Sequence, residues 1–118
     1  MRKAKDAYLL WHTNYLNLPK SCRYSLGQRI DSLFVEIMES LAAATFTSKE
    51  EKLPFVRHAI KKLDTVKILL MILWETKSLD SRKYTKLSAE LEEVGRMLGG
   101  WSGQLRKQNS LDYKSREK

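Results

Sequence analysis

The sequence contains few of the residues that build disulfide frameworks, short strands and tight turns. Its 118 residues include one cysteine, Cys22, two prolines and five glycines. A lone thiol excludes an internal disulfide and a multi-thiolate metal site, fits a reducing cytoplasm, and is usually a small buried hydrophobe. With so few helix-breaking residues, we expect long helices within a single domain.

Signals for secretion, metal binding and catalysis are missing as well. The basic N-terminal segment lacks the apolar core and cleavage site of a signal peptide. His12 and His58 have no acidic residue at the spacing of a Glu-x-x-His metal pair, and the chain has no Gly-Lys-Ser or Gly-Lys-Thr phosphate loop. Nothing local orients a histidine and an acid beside a nucleophile. We therefore expect no enzymatic activity, metal, cofactor or small-molecule substrate.

Apolar residues at helical spacing are abundant and fall into four segments. Pro19 begins the second segment, Ser48 with Glu51 predicts a capping box for the third, and Asp80 or Ser81 caps the fourth. The predicted apolar stripes are Ala4, Tyr8, Trp11, Tyr15 and Leu18; Leu26, Ile30, Leu33, Ile37, Leu41 and Ala44; Val56, Ala59, Leu63, Val66, Leu70 and Leu73; and Tyr84, Leu87, Leu91, Val94, Leu98, Trp101 and Leu105.

Four amphipathic helices with short connections can bury their stripes only against one another. The sequence therefore predicts an all-α fold, an antiparallel up-down-up-down four-helix bundle. The second helix is expected to end near Phe46 and the third near Ser78. We expect residues 1–109 to form the bundle and residues 110–118 to form a basic, flexible C-terminal tail.

The third helix contains an uninterrupted apolar run of seven residues, Ile68–Trp74. Its side chains point in every direction around the helix, whereas a bundle core needs one face. The run is far shorter than the roughly 20 residues that span a bilayer, so we expect no membrane insertion. A second protein surface is expected to cover four residues, and self-association is favoured over a monomer with a wide core. These residues are Ile68, Met71, Ile72 and Trp74.

Positive charge dominates the sequence, with 22 Lys and Arg against 14 Asp and Glu, a net charge of +8. This excess favours an anionic partner, either nucleic acid, an acidic protein surface or anionic lipid, and the alternative is solubility alone. On the second helix, Lys20, Arg23 and Arg29 flank the apolar stripe and can reach a partner.

On the fourth helix, Arg96 and Lys107 point away from Leu98, and with Arg82 they form an outward basic set. The alternative for Arg96 is an exposed ion pair with Glu92, four residues earlier.

The segment EVGRMLGGWSGQLRK, residues 93–107, places four glycines within nine helical positions. Each is less favourable than alanine by roughly 1 kcal/mol inside a helix. Gly95, Gly99 and Ser102 form a strip of small residues beside Leu98 and Trp101. The strip predicts close approach of another helix around the indole, and thus a packing role for the glycines.

Three segments in this order, LPKSCRYSLGQRI, KILLMILWETKSLDSRKY and LEEVGRMLGGW, resemble a known family across nearly the whole chain. The family comprises small four-helix-bundle proteins, among them the accessory variability determinant (Avd) of diversity-generating retroelements and proteins encoded in intervening sequences of bacterial large-subunit ribosomal RNA genes. The most specific part is Gly-Arg-Met-Leu-Gly-Gly-Trp. The matching residues are Pro19, Lys20, Arg23, Tyr24, Gly27, Arg29, Gly95, Arg96, Gly99 and Trp101.

The resemblance implies a non-catalytic accessory protein. Avd proteins form basic homopentamers that associate with the reverse transcriptase and its template RNA and are needed for mutagenic copying. The resemblance assigns Lys20, Arg23, Arg29 and Arg96 to contact with RNA, DNA or an RNA/DNA hybrid, or with the polymerase, and Lys107 is added from its position. It assigns the glycines and Trp101 to packing. The ribosomal-insert relatives lack an established activity, so the alternative is a structural or interaction protein with no retroelement role.

Overall fold

The computed structural model of this chain is all-helical. It describes the backbone of residues 1–117 and the side chains of residues 1–111. The described backbone contains no strand and has four long helices, which confirms the predicted all-α class. The elements are α1 (Arg2–Tyr15), α2 (Lys20–Cys22), a π-helical turn (Arg23–Gly27), α3 (Gln28–Phe46), a 3-10 turn (Lys49–Glu51), α4 (Leu53–Glu75) and α5 (Ser81–Glu117).

The starts of α4 and α5 differ in how well the sequence predicts them. At α5, the Asp80 carboxylate accepts a hydrogen bond from the backbone N–H of Lys83 at 2.8 Å, which confirms the predicted cap. At α4, the predicted capping box is wrong, since the Ser48 side chain makes no cap and its backbone carbonyl accepts from the Glu51 N–H at 2.9 Å. Pro54 explains the later start, because proline suits the first turn of a helix.

The turn between α4 and α5 is sharp. Lys77 is the one non-glycine residue with positive φ in the described backbone, at 63°. The backbone N–H of Ser78 bonds back to the carbonyl of Leu73 at 2.9 Å, the six-to-one bond typical of a helix end with a left-handed residue. This turn ends α4 at Glu75, slightly before the predicted Ser78.

The four long helices bury the predicted stripes in one core. All six predicted residues of α4 are fully buried, and so is every predicted leucine of α5. Leu26, Tyr8, Tyr15, Tyr84 and Trp101 are half-buried at the margins of the core. Cys22 is buried, as expected of a lone thiol. The periodicity therefore predicts both the helices and the faces that they bury.

Aromatic residues and one carboxylate fix α1 on α3. The Trp11 ring stacks on Phe34 with centroids 6.0 Å apart, and its Nε1 donates to Asp31 Oδ1 at 3.2 Å. Burial raises the pKa of the Tyr8 hydroxyl, and a hydrogen bond with Asp31 raises it further. The Trp11 indole and the Tyr8 ring therefore both contact α3, which positions α1 on that helix.

The lengths of α1 and α5 are very different, 14 and 37 residues. The backbone of α5 continues past Asn109 to Glu117, and the predicted division at residue 109 stays a prediction. The side chains of Tyr113, Lys114 and Arg116, and Lys118 as a whole, lie outside the described residues. Within the described chain, no helix combines the length and the apolar character needed to cross a membrane.

Candidate nucleic-acid interface

Arg23 is the first residue of the π-helical turn that follows α2. Its Nε and Nη2 atoms both donate to the backbone carbonyl of Leu18, at 3.2 and 2.9 Å. The guanidinium therefore holds the connection between α1 and α2 against the π-helical turn, and fewer of its donors are free for a ligand. Lys20, one turn earlier, is exposed and forms no ion pair with any described residue.

Gly27 lies at the crowded inner side of the same turn. A Cβ at this position would lie 3.0 Å from Leu18 Cδ1 and 3.2 Å from both the Cys22 carbonyl oxygen and Tyr15 Cε1. Only glycine fits there without displacing a neighbour. The π-helical turn, which follows Lys20 and the rest of α2, is therefore held by close packing and by Arg23.

Arg29 is exposed but has a partner on its own helix. Its Nη1 lies 3.7 Å from Glu36 Oε2, and Lys62 of α4 approaches the same oxygen at 3.6 Å. Two cations share one carboxylate there, so the positive charge exceeds the negative charge at this point. Arg29 is thus available to an anion, although less freely than Lys20.

Arg96 belongs to a small charged network between α1 and α5. Its Nη1 lies 3.4 Å from Glu93 Oε1, whereas Glu92 pairs with Lys67 of α4 at 3.2 Å. The ion pair with Glu92 considered from the sequence is therefore wrong. The Arg96 side chain is still 75% exposed.

Glu93 also joins the two helices. Lys3 Nζ donates to Glu93 Oε2 at 2.9 Å. This hydrogen bond, followed by the charges of Lys3 and Arg96, lowers the pKa of Glu93. Glu93 remains an acceptor at neutral pH and directs part of Arg96 along the helix rather than outward.

Lys107 is exposed and forms no ion pair with a described side chain. It lies eleven residues after Arg96, close to three helical turns, so the two cations share the outer face of α5 about 16 Å apart. Lys20 and Arg23 lie beyond the end of α1, in α2 and in the π-helical turn. The structure therefore divides the five predicted binding residues between separate places instead of joining them in one patch.

The glycines between Arg96 and Lys107 lie on this outer face. Apart from the adjacent backbone of α5 itself, a Cβ added to Gly99, Gly100 or Gly103 would meet no described atom within 4 Å. The prediction that Gly99 allows close approach of another helix is therefore wrong within this chain, because the face is turned away from the core. Gly95 does lie close to α4, with Lys67 Nζ and Leu63 Cδ2 at 3.4 and 3.6 Å from its added Cβ. Trp101 is half-buried against the core.

The four residues predicted to form an oligomer surface differ in their exposure on α4. Ile68 is 56% exposed and Met71 38% exposed, while Ile72 is half-buried. Trp74 is held within the chain, stacked on Tyr84 with centroids 4.9 Å apart and donating from Nε1 to Ser81 Oγ at 3.0 Å. Trp74 nevertheless remains 39% exposed, so the exposed apolar surface consists of Ile68, Met71 and the uncovered part of Trp74.

Reasoning from the sequence missed a cluster of cations at the start of α5. Lys83 and Lys86 were not singled out, and Arg82 was expected to join Arg96 and Lys107 on the outer face. The sequence does contain a signal for this cluster, since three cations fall within five positions after a predicted helix cap. Their common cleft depends on where α1 ends beside α5, which no local pattern specifies. This α1–α5 cleft, of about 420 Å³, is lined by Leu10, Thr13, Asn14, Asp80, Arg82, Lys83 and Lys86.

Among the described side chains, no three His, Cys, Asp or Glu residues lie close enough together to hold a metal ion. The charged side chains described above are mainly cations at the surface. Comparisons of the chain with family models, with characterised proteins and with solved structures found no match. The family resemblance therefore depends on the three quoted sequence segments.

Proposed function

We propose that this chain is a non-catalytic accessory protein of a diversity-generating retroelement, which binds reverse transcriptase and template RNA in the cytoplasm and supports mutagenic copying. The observation that carries RNA binding is the net charge of +8 on a helical protein. Lys20 and Lys107, exposed and without described ion pairs, are part of that surplus. The link to a reverse transcriptase depends on the family resemblance.

The outer face of α5 is the surface that best suits a nucleic-acid strand. Arg96 and Lys107 mark its two ends, and the exposed glycines between them present no side chain that would hold a strand away from the helix. Ionic contacts of this kind position a strand without reading its sequence. The proposed role is therefore to hold RNA, while the polymerase performs the chemistry.

Salt dependence tests this proposal directly. Binding of a fluorescent single-stranded RNA should weaken steeply as salt rises, because each neutralised phosphate releases counterions. The double variant Arg96→Gln/Lys107→Gln should reduce both the affinity and the salt slope, by up to about 1.4 slope units for two phosphate contacts. The matched control is Arg57→Gln/Lys61→Gln, which removes the same charge from two exposed residues of α4.

Undetectable or salt-insensitive RNA binding by the wild-type protein would contradict the proposal. An equal loss in the variant and the control would move the interface away from α5. The retroelement role has its own test, because a reverse transcriptase gene should lie beside this one and its product should co-purify with the protein.

We further propose that neighbouring helices run antiparallel, in the up-down-up-down order predicted from the sequence. The pairs that meet across α3 and α4 support this order, since Lys62 approaches Glu36 and Lys52 donates to the carbonyl of Ala44 at 2.6 Å. From the first pair to the second, the residue number on α3 rises from 36 to 44 while that of its partner falls from 62 to 52, as expected of antiparallel helices. Other pairs ordered in this way are Lys3 with Glu93 and Asn14 with Lys83, and Lys67 with Glu92 and Trp74 with Ser81.

A homopentamer assembled through the outer face of α4 is part of the proposal. Exposed Ile68 and Met71 support it, because they add apolar surface on the side of the helix away from the core. Met71→Glu should dissociate the assembly in light scattering and leave the helical circular dichroism unchanged. His58→Glu, on an exposed part of the same helix, is the control. A monomeric wild-type protein would contradict the premise.

The second candidate is an interaction protein of the ribosomal RNA intervening-sequence type, with no retroelement role. The exposed apolar pair on α4 favours it, since those residues suit a protein partner and contribute nothing to phosphate binding. An oligomer that forms normally but binds no RNA at low salt would select this candidate.

A further inference from the structure

The α1–α5 cleft concentrates positive charge that the protein itself leaves unneutralised. Arg82, Lys83 and Lys86 line it, and none of the three forms an ion pair with a described residue. Asp80 is the one carboxylate among the lining residues, and it accepts from the backbone N–H of Lys83. Glu90 stands four residues after Lys86, yet no ion pair joins them. The three cations therefore exceed the negative charge of the cleft.

The carbonyl groups at the end of α1 do not use these cations. The Asn14 carbonyl accepts from the Asn17 backbone N–H at 3.1 Å, and the Thr13 carbonyl accepts from Asn17 Nδ2 at 3.0 Å. Arg23 satisfies the carbonyl of Leu18. These carbonyl oxygens already accept hydrogen bonds from residues close to them in the chain. Arg82, Lys83 and Lys86 are therefore not needed to cap the end of α1.

The α1 side of the cleft is uncharged. Thr13 directs its hydroxyl to the Leu9 carbonyl at 3.2 Å, and buried Asn14 donates from Nδ2 to the Leu10 carbonyl at 2.9 Å. An anion in the cleft would meet no carboxylate on this wall. The cleft volume of about 420 Å³ is also within the range of small-ligand sites.

We infer that the α1–α5 cleft is a phosphate-binding site, with Arg82, Lys83 and Lys86 as its donors. Ammonium and guanidinium groups form short, charge-assisted hydrogen bonds with phosphate oxygens, and the planar guanidinium contacts two oxygens at once. The phosphate belongs either to a nucleic-acid backbone or to a small free phosphate such as pyrophosphate. This site goes beyond the proposed function, which uses the outer face of α5, and does not depend on the retroelement role.

Pyrophosphate titration of the full chain, followed by amide NMR at low ionic strength, tests the site. We expect saturable shifts concentrated at Thr13 and Asn14 and at residues 82–86. Lys83→Gln/Lys86→Gln should weaken this binding by about tenfold or more, because charged hydrogen bonds are lost. The control Arg57→Gln/Lys61→Gln, with the same charge change, should leave it unchanged. Shifts spread over all basic residues, or equal binding by the cleft variant, would overturn the inference.

A single-stranded RNA arm identifies the source of the phosphate. If the RNA backbone is the ligand, the cleft variant loses more RNA affinity than the control, and pyrophosphate competes with RNA. If the cleft binds pyrophosphate and RNA affinity stays at the control level, the ligand is a small phosphate. A wild-type protein that saturates with pyrophosphate but binds no RNA would contradict the proposed function and support the cleft. RNA binding with no pyrophosphate binding at the cleft would support the proposed function and contradict the phosphate site in the cleft.

Discussion

The inner and outer faces of α5 differ in what determines their residues, although one backbone carries both. On the inner face, Leu98 and Leu105 are buried at the spacing that packs a helix into a bundle. On the outer face, a Cβ added to Gly99 or Gly100 would meet open space, and Lys107 has no described ion-pair partner. The inner face therefore specifies the fold, while the outer face is free to serve a partner.

The largest expected effect is on the inner face. Leu98→Ala should lower the free energy of unfolding by about 2–5 kcal/mol, because a fully buried side chain leaves a cavity. Urea denaturation measures the change. If Leu98→Ala lowers the free energy of unfolding no more than the substitution of an exposed residue does, the inner and outer faces do not differ in what they contribute to stability.

Substitution of a buried glycine should cause the next largest loss of stability. Gly27→Ala should destabilise by roughly 1–3 kcal/mol, since the new methyl group would press on buried Leu18 and on the Cys22 carbonyl. The same denaturation experiment applies, and Ser21→Ala, at an exposed residue of α2 whose side chain makes no described hydrogen bond, is the control. Unchanged stability would show that the π-helical turn relaxes easily.

A glycine on the outer face should respond in the opposite direction. Gly100→Ala should stabilise the chain by roughly 0.5–1 kcal/mol, because alanine loses less backbone freedom and its methyl group meets open space. Thermal unfolding should show a higher Tm. A lower Tm would mean that another molecule covers this face in solution.

The smallest effect concerns Glu93, at the border between the two faces. Its pKa is lower in the folded chain than in the unfolded chain, so the bond from Lys3 stabilises the protein above the unfolded-state pKa. That stabilisation is lost as the pH falls through the lower, folded-state pKa.

Lys3→Gln should therefore lower the Tm slightly at pH 7, and the difference should vanish once Glu93 is protonated. Lys5→Gln, an exposed cation of α1 without a described ion pair, is the control. A difference between wild type and Lys3→Gln that persists in acid would show that Lys3 acts by packing.

Sequence patterns predict the fold better than the site because burial follows local spacing. The stripe from Val56 to Leu73 needs only helical periodicity, and each of its members is buried. The partner of Arg23, the Leu18 carbonyl, depends instead on the geometry of a turn. Helical spacing offers Arg96 both Glu92 and Glu93, and the pairing of Glu92 with Lys67 of α4 depends on the register between helices.

The glycine segment, residues 93–107, also shows that a sequence pattern predicts a helix but not the contacts of its residues. Its position on a helix follows from the sequence, but which face its glycines occupy relative to the neighbouring helices decides whether they pack. The strip of Gly95, Gly99 and Ser102 divides between different surroundings, since Ser102 is buried and Gly99 is open. Only the arrangement of the helices separates these cases.

The bond between Lys3 and Glu93 joins positions 90 residues apart in the chain. A ribosome adds about 5–20 residues per second, so Glu93 is added roughly 5–18 seconds after Lys3. In that interval Trp11 can pack on Phe34 of α3, while the side of α1 that later faces α5 stays uncovered. Pausing of the ribosome before this point would prolong the exposure of an apolar seam, and with it the opportunity for chaperones to bind.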